Sequence, residues 1–402
     1  TSTIKRSLPC PIRPFPNTSM HKLALVLNEP PPYRIPILNR VAATPDIQLQ
    51  VIFCCRREPN RFWDLPAMRF DAVYLRERIT TVNGRYIHNN PEVLAALTRF
   101  SPDAVIGNGF NPTHLYAMSW CALLRRTYVP MTDGTLLSER DLSKVHVGLR
   151  QWVYRRARTV IAASDGGFAL YRHYGVPQSA CYRSCLCIDN DSFRVAIDEH
   201  QTPEFDFIFC GRLEPGKRPE FAMEVAARCA SLLMRKIRLL IVGSGTSEAA
   251  LQLRAKAHST KLEVVFHGFA KQAELPALYR SAKIFLFPTE ADVWGVVANE
   301  ACAAGLPVII SPHAGAADEL VVDRKNGFVR TLDVEQWADC AASLLSNDGL
   351  REAYGPRSRM MVEPYNFDQS ARGIIEAVRA ALNSPTKKLS KPNLSQAVRR
   401  PL

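Results

Sequence analysis

Residues 288–309 read PTEADVWGVVANEACAAGLPVI, and this stretch decides the fold class. Pro288 ends an apolar run of strand length. A helix is predicted to begin near Trp294 and to end at Gly305 and Pro307, before a second apolar run. A strand, a loop, a helix and a strand in this order indicate a parallel βαβ unit. Three carboxylates flank the start of the helix, those of Glu290, Asp292 and Glu300. Loops after parallel strands are where such sheets bind ligands, so this loop is a candidate functional site.

The same alternation of apolar runs and amphipathic stretches extends along the chain from His21. In the first half, strands are predicted at residues 22–28, 47–55, 103–108, 127–132 and 159–164. In the second half, they are predicted at residues 206–211, 237–243, 262–268, 283–288 and 306–311. Because nearly every residue of these runs is apolar, the strands are expected to be covered on both faces. The predicted fold class is α/β, with two Rossmann-like doubly wound domains and a cleft between them.

A chain of 402 residues is too long for one ordinary core and suits two domains. The predicted segments are a flexible leader at 1–20, an N-terminal domain at 21–200, a C-terminal domain at 201–382 and a disordered basic tail at 383–402. The polar stretch 198–204 is the predicted hinge. The final helix, predicted at 366–382, is a candidate to cross back to the N-terminal domain.

Basic residues outnumber acidic ones by 51 to 38, and the excess lies mainly in the first half. Residues 1–200 contain 25 basic and 16 acidic side chains, and the remainder contains 26 and 22. The first half is therefore expected to face an anionic partner, for which nucleic acid, acidic lipid and phosphorylated small molecules are all candidates. The longest apolar runs are much shorter than the ~20 residues of a membrane-spanning helix, which predicts a soluble or peripheral protein.

Eleven cysteines lie mostly inside apolar runs, which indicates small hydrophobic side chains in a reducing, cytoplasmic compartment. One cluster, CYRSCLC, contains Cys181, Cys185 and Cys187. It lacks a second CxxC or a nearby His pair, so packing at a strand edge is favoured over a metal site. No metal ligands are predicted elsewhere.

Two loops of the second half carry residues suited to phosphate. In GRLEPGKRPE, Arg212 and Lys217 follow a strand directly, and together they form a candidate pyrophosphate clamp. The alternative is a solvated charged loop. In VGSGTSE, Gly243 and Gly245 permit close backbone approach, but the third glycine of a dinucleotide fingerprint is missing.

The helix within residues 288–309 offers a second phosphate site. The free N–H groups of Gly295, Val296 and Val297 would point into the cleft with the positive end of the helix dipole. Asp292 and Glu300 are eight positions apart, a spacing that lets their side chains reach opposite ends of one nucleotide sugar. Carboxylates suit this role because they accept hydrogen bonds from sugar hydroxyls. The alternative is that Asp292 is an N-cap and Glu300 a surface residue.

Residues Phe205 to Phe328 resemble the donor-binding domain of retaining family-4 glycosyltransferases with the GT-B fold. GRLEPGKRPE resembles the phosphate loop of that family, and DVWGVVANEACAAGLPVI resembles its Glu-x7-Glu helix. The order, the spacing and the strand context of both motifs agree, with one departure: the first acidic position is Asp292.

The resemblance implies roles for these residues. Arg212 and Lys217 would hold the pyrophosphate, Glu300 the ribose diol, and Asp292 the hydroxyls of the transferred sugar. The implied donor-binding set is Gly211, Gly243, Gly245, Gly268, Phe269, Trp294, Gly295, Val296 and Val297.

The first half resembles the family less closely. The loop NEPPPYR and the later loop MTDGT are the counterparts of acceptor-facing loops. The implied acceptor-binding residues are Asn28, Glu29, Tyr33, Arg34 and Asp133. Asp133 stands near the position of the family's histidine. His114 is a spare candidate, for which a packing or capping role is favoured.

The resemblance implies a retaining, metal-independent transfer of a hexose from a nucleoside-diphosphate sugar to a sugar or lipid-linked acceptor, without a cofactor, in polysaccharide or glycolipid biosynthesis. The basic helix predicted within 139–158 either packs on its sheet or contacts an anionic membrane surface at the inner face. Two other classes stay open. A GT-B epimerase or phosphorylase would use a similar cleft, and a nucleic-acid-binding protein would explain the net charge but lacks a recognition motif.

Overall fold

The computed structural model describes residues 20–59, 61, 64–82, 84–194 and 203–384. The predicted leader, hinge and tail therefore lie outside the described residues, except for Met20, residues 203–204 and residues 383–384.

The strands of the first half are β1 (His21–Leu27), β2 (Ile47–Phe53), β3 (Asp71–Tyr74), β4 (Ile79–Val82), β5 (Arg85–His88), β6 (Ala104–Gly107), β7 (Thr127–Thr132), β8 (Val160–Ala162) and β9 (Cys181–Arg183). Its helices are α1 (Ile35–Ala42), α2 (Val93–Phe100), α3 (Pro112–Leu123), α4 (Leu136–Glu139), α5 (Lys144–Tyr154), α6 (Asp165–His173) and α7 (Asn190–Arg194).

The strands of the second half are β10 (Phe205–Cys210), β11 (Ile237–Val242), β12 (Leu262–Gly268), β13 (Ala282–Phe287), β14 (Val308–Ile310) and β15 (Gly327–Val329). Its helices are α8 (Pro219–Leu233), α9 (Glu248–Ala257), α10 (Leu275–Arg280), α11 (Val296–Ala304), α12 (Val334–Ser346), α13 (Asp348–Val362) and α14 (Phe367–Asn383).

Two parallel sheets organise the chain. The first has the order β3-β2-β1-β6-β7-β8-β9, and the second has the order β12-β11-β10-β13-β14-β15. The strands β4 and β5 form a separate antiparallel hairpin. Each of the ten predicted runs contains a strand, and the predicted α/β class with two doubly wound sheets is confirmed. The domains built around these sheets are called the first and the second domain below.

Each sheet has one point where the strand order reverses. In the first domain, it lies between β1 and β6, and in the second between β10 and β13. The loops that follow these neighbouring strands diverge to opposite faces of the sheet, which leaves a crevice at its carboxyl edge. The loop with Arg212 and Lys217 and the loop with Asp292 are the two loops of the second crevice.

Short strands and one helix break were not predicted. The strands β9 and β15 have three residues each and lie at sheet edges, where a short run carries little periodic signal. The helix predicted within 139–158 begins later than expected, because α5 starts at Lys144 and residues 140–143 separate it from α4. Ser143 causes the break, since its Oγ accepts a hydrogen bond from the N–H of His146 and caps a new helix.

The chain crosses between the domains twice. The segment after β9 leads into α7, where Phe193 packs in the core of the second domain. At the other end, α14 lies against the first sheet, and its buried residues belong to the first domain's core. The approach is close at Gly373, where a Cβ atom would lie 1.5 Å from the carbonyl oxygen of Arg183. The first domain is therefore completed by the last helix of the described chain.

Replacing Ile374 by Ala tests this dependence. Ile374 is buried in the core that α14 shares with the first sheet, so the substitution should lower the free energy of unfolding by about 2–5 kcal/mol. Chemical denaturation measures the change.

Leu253→Ala is the control, because Leu253 is 72% exposed on α9. Equal effects of the two substitutions would contradict the packing of α14 on the first domain.

Candidate active site

The two loops of the second crevice are tied to each other. The N–H of Glu290 donates to the carbonyl oxygen of Gly216 at 2.9 Å, and Arg218 pairs with the Glu290 carboxylate at 2.6 Å. Lys217 pairs with Asp292 at 2.7 Å between Nζ and Oδ2. Glu290 therefore holds the loops together through Arg218, whereas Asp292 and Lys217 form a separate ion pair beside them.

The carboxylate of Asp292 is held at both oxygens. Oδ2 accepts from Lys217, and Oδ1 accepts from the backbone N–H of Trp294 at 3.2 Å. The backbone N–H of Asp292 donates to the carbonyl oxygen of His313 at 3.1 Å, which fixes the loop after β13 against the loop after β14. Asp292 is thus oriented just before α11, and its N-cap alternative is not realised because Gly295 is the N-cap.

The start of α11 depends on a glycine. Gly295 has φ +96°, and a Cβ atom there would lie 2.3 Å from the ring of Phe287. Val296 and Val297 open the helix, so their N–H groups have no partner within it. Trp294, which the resemblance places in the donor-binding set, lies directly before Gly295. Its indole is fully buried and donates to Asn299 Oδ1 at 2.7 Å.

The glycine loop after β11 packs on the loop after β10. A Cβ atom on Gly243 would lie 1.9 Å from the carbonyl oxygen of Gly211, and one on Gly245 would lie 2.5 Å from that of Leu213. The N–H of Leu213 donates to the carbonyl oxygen of Ser244 at 2.9 Å. Close approach between the two loops is therefore one reason for these glycines.

Glu300 lies inside the second domain, with 5% of its surface exposed. Its Oε2 accepts a hydrogen bond from the hydroxyl of Tyr279 at 2.8 Å. Burial raises the pKa of Glu300 from 4.5 to about 7, although hydrogen bonds from Tyr279 and Gln272 oppose the shift. Glu300 is therefore no surface residue, and near neutral pH its carboxyl group exchanges a proton.

The other predicted donor residues lie at the same sheet edge. Arg212 is exposed and makes no ion pair with any residue that the structure describes. Gly268 ends β12, and the exposed ring of Phe269 follows it. Gly268 accepts a hydrogen bond from the N–H of Gly243 at 2.8 Å, which joins this loop to the glycine loop.

In the first domain, Asn28 follows β1 and is held by two side chains. Its Oδ1 lies 3.1 Å from Nε2 of His114 and 3.1 Å from Nδ2 of Asn111. Burial lowers the pKa of His114 to about 3, so its ring is neutral and donates to Asn28. His114 therefore positions Asn28 from the interior, as the favoured packing role requires.

Several predicted acceptor residues interact with one another. Arg34 is buried and forms an ion pair with Asp133, and its Nη1 lies 3.8 Å from Met131 Sδ. Glu29 is buried as well, accepts from the N–H of Glu58 at 2.8 Å and pairs with Arg61. The charges of Arg34 and Glu29 are therefore both paired within the first domain.

Tyr33 follows the proline run after β1. Its ring is half-buried and packs against a core cluster that is formed mainly by the second domain and also contains Ala163 and Leu186.

A cavity of about 330 Å³ opens between the domains beside Asp292. The first domain contributes the start of α4 and the start of α6, and the second domain contributes the loop after β14. The polar lining residues are Thr135, Asp165, Asp292, His313, Asp318 and Glu319. All of them except Asp292 were missed from the sequence. They follow β7, β8 and β14, so the carboxyl-edge rule was the signal that could have identified them.

Glu319 joins the domains next to this cavity. Its carboxylate accepts from Arg183 at 2.5 Å and from the backbone N–H of Asp165 at 2.7 Å, both in the first domain. Arg183 also pairs with the side chain of Asp165. Burial raises the pKa of Glu319, and these partners oppose that shift. The interdomain contact is thus a charged hydrogen-bond network in which the side chain of Glu319 is 8% exposed, whereas those of Arg183 and Asp165 are 35% and 69% exposed.

The described residues contain no group of three or more His, Cys, Asp and Glu side chains arranged to hold a metal ion. The cysteines of the described residues are all unpaired, and Cys181 lies on the edge strand β9. Within the same residues, no helix is both long enough and apolar enough to cross a membrane.

The raised pKa of Glu300 predicts a pH-dependent stability. Between pH 4.5 and 7, the folded state keeps a proton that the unfolded state releases, so stability falls as pH rises. The Glu300→Gln variant has no carboxyl group at this position, so its stability does not fall with pH in this way. Its free energy of unfolding should therefore increase relative to the parent by about 3 kcal/mol between pH 4.5 and pH 8.

Denaturation at a series of pH values measures this difference. Glu335→Gln is the control, because Glu335 is exposed on α12. A difference between Glu300→Gln and the parent that stays constant with pH would contradict the buried, protonatable state of Glu300.

Residues 192–361 match the family model described as glycosyl transferases group 1. The D-inositol 3-phosphate glycosyltransferase of Xylanimonas cellulosilytica is 28% identical over 248 residues, covering 55% of this chain and 58% of that protein. An uncharacterized glycosyltransferase of Methanocaldococcus jannaschii is 29% identical over 186 residues, covering 45% and 46%. The chain thus spans 58% and 46% of the length of these two curated relatives.

Solved structures resemble the whole described chain. Anabaena HepE in complex with UDP has a TM-score of 0.71 at 15% identity, covering 90% of this chain and 100% of that one. The sucrose-phosphate synthase of Thermosynechococcus elongatus has a TM-score of 0.64 at 15% identity, covering 90% and 98%. At this identity the likeness shows the fold alone. The chain has the two-domain GT-B fold, and residues 192–361 match the glycosyl transferases group 1.

Proposed function

We propose that the protein is a glycosyltransferase that moves a hexose from a nucleoside-diphosphate sugar to a hydroxyl of a sugar or lipid-linked acceptor. One observation carries the proposal. Lys217, Asp292 and the N-terminus of α11 meet at the reversal of strand order in the second sheet, beside a cavity between the domains. This is the place where an open parallel sheet binds a nucleotide.

The cations and the helix N-terminus suit the leaving diphosphate. Lys217 and Arg212 supply positive charge, and the N–H groups of Val296 and Val297 supply fixed donors. Negative charge develops on the diphosphate as the bond to the anomeric carbon breaks. Donors that are already oriented stabilise this charge without reorganising, so they contribute most of the rate enhancement in the proposed reaction.

The ion pair between Lys217 and Asp292 is proposed to break when the donor binds, so that each residue has one partner without the donor and another with it. Without donor, Asp292 neutralises Lys217 at 2.7 Å. When a diphosphate pairs with Lys217, the Asp292 carboxylate becomes available to accept hydrogen bonds from the hydroxyls of the transferred sugar. In this proposal Asp292 therefore links diphosphate binding to sugar binding.

Glu300 is proposed to accept hydrogen bonds from the ribose diol. It lies along α11 from the phosphate site, and its carboxyl group is held by Tyr279. Because its pKa is about 7, the carboxylate is fully formed only above neutral pH or when a ligand hydroxyl favours the charged form.

The acceptor hydroxyl oxygen forms a bond to the anomeric carbon, and the bond from that carbon to the diphosphate oxygen breaks. The bonding electrons and the hydroxyl proton leave with the diphosphate. Retention of configuration and independence of a metal are part of the proposal and are supported by the resemblance to family 4. A uridine nucleotide is the first donor to test, since Anabaena HepE was solved with UDP and with UDP-glucose.

Replacing Lys217 by Ala should lower transfer from the accepted donor roughly 10²–10³-fold, as for the loss of one preorganised donor to a developing anion. Thermal-shift screening against UDP-, GDP- and ADP-sugars identifies that donor, because a ligand of the folded state raises the melting temperature. Transfer is then followed by mass spectrometry with a panel of sugar acceptors.

Lys325→Ala is the control, since Lys325 is exposed outside the crevice in the loop before β15. The donor-site assignment is wrong if a folded Lys217→Ala protein keeps full transfer. Isomerisation of the nucleotide sugar without transfer would instead favour an epimerase.

We also propose that the exposed side of α5 contacts an anionic membrane surface. Only Val153 and Tyr154 of α5 are buried, whereas Val145 is 80% exposed. Trp152 is exposed beside the guanidinium of Arg156, which lies 4.2 Å from the ring centroid. Exposed apolar side chains among cations are typical of helices that lie at a lipid interface. Other exposed cations in and around α5 are Arg140, Lys144 and Arg155, whereas Arg150 is half-buried in an ion pair with Glu139.

Vesicle flotation tests this face. The protein should float with phosphatidylglycerol vesicles at low salt, and both high salt and Val145→Glu should reduce the floating fraction. Leu253→Glu is the matched control, because Leu253 is similarly exposed in the second domain. Equal recovery with anionic and neutral vesicles, or an equal effect of both substitutions, would contradict the proposal.

A further inference from the structure

The interdomain cavity beside Asp292 has an acidic wall. Its lining includes four carboxylates, those of Asp165, Asp292, Asp318 and Glu319, and no Lys or Arg of the described chain. His313 is the one titratable lining residue of the described chain that can carry a positive charge. At about 330 Å³, the cavity falls within the roughly 300–1,000 Å³ of small-molecule sites.

The cations that pair with this wall do not cancel it. Arg183 is shared by Asp165 and Glu319, and Lys217 pairs with Asp292. Asp318 is exposed and makes no ion pair among the residues that the structure describes. The lining thus contains four carboxylates, and the two cations that pair with them, Arg183 and Lys217, are not lining residues. An anionic group in the cavity would meet net negative charge at short range.

The rest of the lining is apolar. Leu136 and Leu137 of α4 are 44% and 38% exposed, and α4 has no buried residue, so both side chains are available to a ligand. Pro312, Ala314 and Ala317 of the second domain line the cavity too. A molecule that fits this surface has hydroxyl or amino groups on one side and an apolar face on the other.

From this lining we infer the chemical class of the acceptor: the group that enters the cavity is an uncharged polyol or an amino sugar, and it carries no phosphate or carboxylate there. This inference rests on the proposed function, in which the acceptor hydroxyl approaches the donor beside Asp292. It differs from the acceptor in the name of the relatives called D-inositol 3-phosphate glycosyltransferase. It also restricts the sequence-based expectation of an anionic partner to surfaces outside this cavity, such as the exposed side of α5.

Paired acceptors test the inference. With the nucleotide sugar that stabilises the protein, transfer is measured to myo-inositol and inositol 3-phosphate, to glucosamine and glucosamine 6-phosphate, and to octyl glucoside and its 6-phosphate. The unphosphorylated member of a pair should have a kcat/KM higher by roughly tenfold or more, because phosphate meets the acidic wall. Saturation-transfer NMR in the presence of UDP measures binding of the same compounds without turnover.

Asp318→Asn removes the unpaired charge and keeps the shape. Asn also tolerates the positive φ of +60° at this position. The variant should reduce the discrimination against the phosphorylated member about threefold. Asp339→Asn, an equal charge change on the exposed face of α12, should leave the discrimination unchanged.

The outcomes separate the inference from the function on which it rests. Preference for the phosphorylated members, or no binding of any unphosphorylated one by a protein that still hydrolyses nucleotide sugar, overturns the acceptor class alone. A folded protein that neither binds nor hydrolyses any nucleotide sugar overturns the proposed function and the acceptor class together.

Discussion

The reversal of strand order between β10 and β13 is the constraint on which the candidate site depends. Two neighbouring parallel strands send their loops to opposite faces of the sheet, so the backbone leaves a crevice that side chains need not create. The two loops that border the crevice must then be held in place relative to each other. The contacts of Glu290 with Gly216 and Arg218 do this at the loop bases. Lys217 and Asp292 are thereby brought within 2.7 Å, although 74 residues separate them in the sequence.

Much of this organisation could be predicted because it is local. Apolar runs bounded by Gly and Pro gave the central strands, and the rule for parallel sheets selected the loops of Arg212, Lys217 and Asp292. The different roles of the three carboxylates in residues 288–309 could be distinguished only in the structure. Glu290 holds two loops together, Asp292 faces the cleft, and Glu300 lies on the buried side of α11. The spacing of residues along a helix does not show which side is buried, because a side of the helix becomes buried only when another element packs against it.

Interactions between distant segments could not be predicted. Arg34 and Asp133 lie 99 positions apart in the sequence, and their pairing depends on the order of β1, β6 and β7 in the sheet. The lining of the cavity could not be predicted for the same reason, because Thr135, Asp165 and Glu319 come together only when the two domains pack against each other. Short polar signals were also underestimated. A single Ser143 divided a predicted helix by capping a new one.

The packing of α14 on the first sheet has a consequence for how such proteins can be recombined. The first domain is discontinuous: it is made from the start of the chain and from its last described helix, with the second domain inserted between them. A chimera that exchanges the second domain therefore needs two junctions, one in the segment before α7 and one between α13 and α14. A single junction would leave the first sheet covered by a foreign helix, and it would remove Gly373, where a Cβ atom would lie 1.5 Å from the carbonyl oxygen of Arg183.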